Sequence, residues 1–125
     1  MVKALRILIV DDQKHARRSL QALLATKFQL AETCEAVNGI EAIRCVEECK
    51  PDLLLMDARM PDMDGIEATR IINSISPHVP VIVLSLYPEY KADALAAGAS
   101  AFVSKGEPPE RLLEVLSKAS SRNEY

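Results

Sequence analysis

Five short apolar runs recur along the chain, and segments with helical periodicity separate them. Alternation of this kind favours a parallel sheet with helices packed on both of its faces, built from βα units. We therefore expect a doubly wound α/β domain with a five-stranded parallel sheet. Strands are predicted at 5–10, 29–37, 53–56, 81–84 and 101–103, and helices at 16–24, 40–50, 66–75, 90–97 and from 109 onwards.

The pattern within each segment predicts its place in the fold. Residues 53–56 are uniformly apolar, which indicates a central strand covered on both faces, whereas 29–37 carries polar interruptions and should lie near an edge. The first helix should pack its leucines inward and leave Arg17 outside. Residues 38–39, Asn-Gly, indicate a turn before a helix whose apolar positions begin at Ile40.

Length and composition exclude several classes of protein. The chain has 125 residues, of which 49% are hydrophobic and 26% charged, so it can bury one core of ordinary size. The net charge of −3 argues against a nucleic-acid surface, which is normally basic. The apolar runs are far shorter than the roughly 20 residues that span a bilayer. We expect a single cytoplasmic domain over 1–125.

The residues that follow the strands carry the chemistry. In an open parallel sheet, ligand sites form beyond the carboxyl ends of the strands. Four strands deliver polar groups to that edge: Asp11 and Asp12 follow the first, Asp57 the third, Ser85 the fourth and Lys105 the fifth.

This set of residues suits phosphoryl transfer. Clustered carboxylates need a cation to stay ionised, and all-oxygen ligands favour a hard ion such as Mg²⁺. A carboxylate can then act as the nucleophile and form an acyl phosphate. Lys105 supplies positive charge and Ser85 a hydroxyl donor for phosphoryl oxygens, and positioning with charge neutralisation is what this reaction chiefly requires.

In this pattern the chain resembles the response-regulator receiver domains of two-component systems. That family has an acidic pair after the first strand, Asp after the third, Ser or Thr after the fourth and Lys after the fifth. The resemblance covers essentially the whole chain and implies a flavodoxin-like (βα)5 fold. The matching motifs are Ile9-Val10-Asp11-Asp12, Met56-Asp57, Met60-Pro61-x-Met63-Asp64-Gly65 and Ala97-Gly98-Ala99.

The resemblance assigns a role to each residue of the predicted site. It implies that Asp57 is the phosphoacceptor and that Lys105 pairs with Asp57 and later with the phosphoryl group. It also implies that Asp12, Asp57 and the backbone carbonyl of Arg59 bind Mg²⁺, with Asp11 acting through water.

The resemblance further implies a switch and its partners. Ser85 would move toward the phosphoryl group, and Phe102 on the fifth strand would rotate inward. A sensor histidine kinase would be the phosphodonor, and phosphorylation would favour a homodimer, with the apolar residues of 20–24 or 112–119 as candidate contacts. The protein would catalyse only its own phosphorylation and dephosphorylation.

Some positions depart from the common family pattern. Leu86 stands where many receivers have a small residue and should narrow access to Asp57, while Tyr87 and Arg59 occupy positions that tune acyl-phosphate lifetime. Gly106 replaces a frequent proline, so the cis Lys-Pro peptide is not expected. Arg59-Met60-Pro61 and Lys105-Gly106 resemble the NarL/FixJ subgroup, whose members usually continue into a helix-turn-helix DNA-binding domain. We expect an excised receiver rather than a stand-alone one.

Two other functions compete with the switch. A phosphohydrolase of the haloacid dehalogenase type would need a second Asp two residues after the nucleophile, where this chain has Arg59. A pseudo-receiver, used only as a binding module, would be expected to lack Asp57, Asp12 or Lys105, and none is missing. Individually, the acids could be helix caps, Phe102 a core aromatic and Gly65 a turn residue.

The cysteines and histidines offer no second site by sequence. Cys45 and Cys49 would share a helical face, but neither His15 nor His78 is near them to complete a metal site. Together with Cys34 they make an odd number, which matches no disulfide framework. We interpret them as reduced thiols that act as small hydrophobic side chains, and His15 as a surface residue.

Overall fold

A computed structural model of the chain describes residues 4–122, and side chains through residue 120. Strands and α-helices alternate along it, and one short 3-10 helix, Pro88–Tyr90, precedes the fourth α-helix. The strands are β1 Leu5–Val10, β2 Leu30–Ala36, β3 Leu53–Asp57, β4 Val81–Ser85 and β5 Ala101–Ser104. The helices are α1 Lys14–Ala25, α2 Gly39–Cys49, α3 Gly65–Ile75, α4 Lys91–Ala96 and α5 Pro109–Arg122.

All five strands belong to one parallel sheet in the order β2-β1-β3-β4-β5. The predicted flavodoxin-like doubly wound fold is confirmed, with β3 central and β2 at an edge. Val10 pairs with both Ala36 and Met56, and Ser85 pairs with Ser104. This register aligns the carboxyl ends of the strands along one edge, where the chain order reverses between β1 and β3.

Alternate residues of each strand supply two separate cores. On one face, Leu8, Leu54, Met56 and Val83 pack with buried residues of α2, α3 and α4. On the other face, Ile7, Ile9, Leu55 and Ile82 pack with buried residues of α1 and α5. Because both faces are covered, the central strands are apolar throughout.

Side-chain caps fix the starts of two helices that flank the carboxyl edge. The Asn38 side chain accepts a hydrogen bond from the Glu41 backbone N–H at 2.8 Å, and Asp64 accepts one from Glu67 at 2.8 Å. The predicted turn at 38–39 is therefore the N-cap and first residue of α2. Ile40 lies in that first turn and is 52% exposed, so its assignment to the apolar helical face was wrong.

Arg17 was also misplaced by the sequence pattern. It was expected outside the apolar face of α1, yet it is buried at 9% exposure. Its guanidinium donates hydrogen bonds to the Glu35 carboxylate and to the Asp11 carbonyl. A buried cation is tolerated where it is paired and hydrogen-bonded in this way.

Most of the apolar residues of 20–24 and 112–119, which were proposed as dimer contacts, are buried in the core. In α5, Leu112, Val115, Leu116 and Ala119 are all buried, as is Leu24 in α1. These side chains pack against the sheet and are not available to a partner, which corrects the expectation for them. Within residues 4–122, no helix is both long and apolar enough to cross a membrane.

Candidate functional site

A cavity of about 390 Å³ opens at the carboxyl edge of the sheet. Asp11 follows β1, Asp57 and Ser85 end β3 and β4, and Lys105 follows β5, so four strands converge on it. The sequence placed these groups at one edge, and the structure brings them together. The lining residues are Asp11, Asp12, Gln13, Ala16, Asp57, Arg59, Ser85, Leu86, Tyr87 and Lys105.

The three carboxylates form a compact acidic cluster. Asp11, Asp12 and Asp57 each place a ligand oxygen so that all three atoms lie within 4.8 Å of one another. Asp11 is buried at 2% exposure, the Asp57 side chain is 13% exposed, and Asp12 faces solvent. Closely spaced oxygens that repel one another suit a hard divalent cation with remaining water ligands, so the donor set fits Mg²⁺.

Lys105 contributes the positive charge of the site. Its Nζ lies 3.3 Å from Asp57 Oδ1 and 3.4 Å from Asp11 Oδ2. Its backbone N–H donates to the Ser85 carbonyl at 2.9 Å, which ties the end of β5 to that of β4. Lys105 is partly exposed, but it pairs with two acids of the cluster and is not an isolated surface lysine, which was the alternative when it was considered alone.

Burial and charge act in opposite directions on the Asp57 carboxyl. Burial raises the pKa of Asp57 above its ordinary value, and the charge of Lys105 and a backbone hydrogen bond from Arg59 oppose that rise. Asp11 adds to the rise because a second negative charge lies nearby. A cation bound among the acids would favour the ionised, nucleophilic form.

The two residues predicted to form the switch lie on neighbouring strands. The buried Ser85 hydroxyl accepts a hydrogen bond from the Tyr87 backbone N–H at 3.0 Å. Phe102 pairs with Val83 across β4 and β5 and is half-buried against the core beneath α4. Tyr87 and Tyr90 meet edge to face with ring centroids 6.1 Å apart.

The loop after β3 returns to the site through Gly65. Its backbone N–H donates to the Ala58 carbonyl at 2.9 Å, directly behind the carboxyl end of β3. A Cβ at this position would stand 1.9 Å from the Asp57 carbonyl oxygen, so only glycine fits. Gly65 therefore brings the N-terminus of α3 against the strand that carries Asp57.

Arg17 lies behind the acidic turn of the site, and the sequence did not indicate this contact. Its Nη1 donates to the Asp11 carbonyl and its Nε to Glu35 Oε1, both at 2.8 Å. Helical periodicity classes arginine as polar, and the partner Glu35 lies 18 positions away along the chain. Nothing local in the sequence identifies that pairing.

The remaining candidate residues lie apart from this cavity. Cys34 is buried, Cys45 and Cys49 are half-buried, and all three are free thiols. Burial, with smaller contributions from neighbouring thiols, raises the pKa of Cys34 to about 12 and also raises that of Cys45. Both therefore remain protonated at neutral pH, as expected of small apolar side chains. His15 is exposed, as predicted.

Comparison with known proteins identifies the family of this chain and agrees with its fold. The family model for the response regulator receiver domain matches residues 7–117. The chain is 39% identical over 117 residues to chemotaxis protein CheY of Thermotoga maritima, covering 92% of this chain and 97% of that one. It is 41% identical over 112 residues to the uncharacterized transcriptional regulatory protein YhcZ of Bacillus subtilis, covering 88% of this chain and 52% of YhcZ.

A solved structure gives the same result in three dimensions. A LuxR-family two-component response regulator from Aurantimonas sp. superposes with a TM-score of 0.89 at 29% identity, covering 95% of this chain and 86% of that one. The fold and the polar carboxyl edge together define a flavodoxin-like α/β domain. The chain belongs to the response regulator receiver domain family of two-component systems. It spans about half the length of YhcZ.

Proposed function

We propose that this domain is a phosphorylation-dependent switch that accepts a phosphoryl group on Asp57. The observation that carries the proposal is the position of the Asp57 carboxylate. It lies 3.3 Å from the Lys105 ammonium, and one of its oxygens is within 4.8 Å of ligand oxygens of Asp11 and Asp12. A nucleophile, a fixed cation and an oxygen-ligand metal site thus share one cavity, which is what phosphoryl transfer to a carboxylate requires.

The reaction can be assigned to the residues of this chain. A carboxylate oxygen of Asp57 attacks the phosphorus of a phosphohistidine on a sensor histidine kinase. The new P–O bond forms as the P–N bond breaks, and the released imidazole takes up a proton. Lys105 moves its charge from the carboxylate to a phosphoryl oxygen, and the Ser85 hydroxyl donates to another.

The acidic residues would hold the metal that this transfer uses. Asp12, Asp57 and the backbone carbonyl of Arg59 are proposed as direct ligands, and Asp11 as a ligand through water. When bound, Mg²⁺ would neutralise the charge of the acids and of the phosphoryl oxygens.

We propose that the output is a shift between two packings of the surface around β4 and β5. Movement of the Ser85 hydroxyl toward the phosphoryl group would give up its bond to the Tyr87 N–H, and Phe102 would rotate into the space released. The shifted surface would favour a homodimer. Relatives named as transcriptional regulatory proteins support an output at transcription. We propose that this output passes through a DNA-binding domain and that the domain acts in the cytoplasm.

The test is intact-protein mass after incubation with Mg²⁺ and a small acyl-phosphate donor, with Asp57→Asn alongside. The wild type should gain one phosphoryl group and the variant none. Full phosphorylation of the variant would refute the assignment of Asp57. If the wild type gains nothing and beryllofluoride also leaves its spectrum unchanged, the chain is a pseudo-receiver.

A further inference from the structure

We propose that Arg17 is a positioning residue for the metal site, and that it orients the acidic turn, residues 11–13, without touching the metal. The inference rests on the proposed function, because it concerns the affinity of the acidic cluster for Mg²⁺. It goes beyond that function by assigning a role to a basic residue on the first helix.

Arg17 joins the turn to a neighbouring strand. Its side chain is 11% exposed, and it donates at 2.8 Å to Glu35 Oε1 on β2 and at 2.8 Å to the carbonyl of Asp11. Its backbone N–H donates to the Gln13 carbonyl at 3.1 Å. That backbone bond is the first hydrogen bond of α1 and would form with any side chain at this position. The guanidinium itself ties the Asp11 end of the turn to Glu35 on β2.

These contacts complete the restraint on Asp11. The Asp11 N–H donates to the Ala36 carbonyl at 3.1 Å, and its Oδ1 accepts from the Gln13 N–H at 2.9 Å. Its Oδ2 lies 3.4 Å from Lys105 Nζ. With Arg17 on the carbonyl, the backbone N–H, the carbonyl and both carboxylate oxygens of Asp11 are held.

The restraint extends to Asp12 through the peptide bond. The carbonyl of Asp11 and the N–H of Asp12 belong to one planar unit, so fixing the carbonyl fixes the direction in which the chain enters Asp12. The Asp12 side chain is exposed. Arg17 therefore restrains Asp12 only through the peptide unit that joins it to Asp11. Loss of Arg17 would let this peptide plane rotate and carry the Asp12 carboxylate away from Asp57.

Charge and positioning predict opposite results for a neutral substitution. Arg17 brings a positive charge close to a cation site, so by Coulomb repulsion alone its removal should tighten Mg²⁺ binding. If Arg17 positions the acids, its removal should weaken binding. Loss of residues that orient metal ligands typically lowers affinity by 10–100-fold.

The experiment measures Mg²⁺ affinity by titration calorimetry, without phosphorylation, for the wild type, Arg17→Met and Arg18→Met. Arg18 is the adjacent exposed arginine of α1, and the matched variant removes the same charge. We expect the dissociation constant to rise about tenfold in Arg17→Met and to stay within about twofold in Arg18→Met. An unchanged or tighter constant in Arg17→Met would overturn the proposal.

A charge-conserving variant keeps the proposal testable if Arg17→Met does not fold. Lysine retains the charge but cannot donate from two nitrogens in the fixed geometry of a guanidinium. We expect Arg17→Lys to weaken Mg²⁺ binding by about threefold, whereas a charge effect alone predicts no change. Urea unfolding of each variant shows whether Arg17 only stabilises the fold. In that case the free energy of unfolding would fall while the Mg²⁺ affinity stayed at the wild-type value, and that result would refute the positioning role.

Failure of the inference differs from failure of the proposed function. If the wild type binds no Mg²⁺, the metal-dependent switch itself is refuted and Arg17 has nothing to position. If the wild type binds and Arg17→Met and Arg17→Lys bind equally well, only the role of Arg17 is lost.

Discussion

Gly65 lies so close to the carbonyl group of Asp57 that a Cβ atom would stand 1.9 Å from the oxygen and 2.8 Å from the carbon. The contact joins the first residue of α3 to the last residue of β3. The backbone of the proposed phosphoacceptor therefore cannot relax without moving a helix.

Gly65→Ala should be strongly destabilising, because backbone atoms, unlike a flexible side chain, cannot yield to the new methyl group. We expect a loss of about 2–3 kcal/mol in the free energy of unfolding and slower phosphorylation of Asp57. Urea denaturation and a phosphorylation time course would measure both. Gly106→Ala is the matched control, since its Cβ would come no nearer than 3.6 Å to the Ser104 hydroxyl; equal losses in the two variants would contradict the steric account.

Asp57→Asn should stabilise the metal-free domain at neutral pH. Burial raises the pKa of Asp57, with Lys105 only partly opposing it, so the folded state binds this proton more tightly than the unfolded chain does. The stability that Asp57 contributes to the wild type is fully present when the pH is below 3.8, the ordinary pKa of this carboxyl. It is lost as the pH rises through the higher pKa that Asp57 has in the folded state. Asparagine does not ionise, so the variant does not lose this stability at neutral pH.

Urea unfolding of both proteins without divalent cations, from pH 7 downward, would test this sign. The advantage of Asp57→Asn should shrink as pH approaches 3.8. Addition of Mg²⁺ should stabilise the wild type more than the variant. A variant less stable than the wild type at neutral pH would show that the ion pair with Lys105 outweighs burial.

Leu86→Ala should speed phosphorylation by a small acyl-phosphate donor. Leu86 is 62% exposed and lines the same cavity as Asp57, so its side chain occupies the approach to the carboxylate. We expect a rate increase of about three- to tenfold, which corresponds to about 0.7–1.4 kcal/mol in the barrier. Leu95→Ala, also exposed but outside the residues that line this cavity, should leave the rate unchanged; similar rates in all three proteins would remove Leu86 from the access route.

Lys50→Gly should stabilise the fold far from the site. Lys50 is the C-cap residue that follows α2, with φ 48° and ψ 62°, a left-handed conformation in which glycine has no steric cost. We expect a gain of about 0.5–1 kcal/mol, part of the relief being offset by the greater freedom of glycine in the unfolded chain. The same change at exposed Lys118, inside α5, should cost about 1 kcal/mol; thermal denaturation would distinguish the two signs.

Most of the fold and the site could be predicted because the information is local. The uniformly apolar run at 53–56 indicated a central strand, and β3 lies third in the sheet. Asp57, Ser85 and Lys105 each follow or end a strand, and parallel pairing alone brings such positions to one edge. No long-range information was required for these assignments.

What could not be predicted depends on contacts between distant segments. Arg17 is buried because the fold places Glu35 and the Asp11 carbonyl around it. The helical periodicity of α1 predicts neither contact. Gly65 indicated a turn, but its close approach to Asp57 exists only after the loop has folded back. The segment predicted as one helix over 90–97 begins as a 3-10 turn at Pro88, before α4 starts at Lys91.

The sheet divides the interior into two cores, one beneath α2, α3 and α4 and the other beneath α1 and α5. Substitutions in one core can be accommodated with little effect on the other, because the two share only the backbone of the strands between them. The sequences of the two helical layers can therefore change independently of each other. A new partner surface can arise on one side of such a domain while the acidic edge keeps its chemistry, provided that the contacts of Arg17 and Gly65 with that edge are retained.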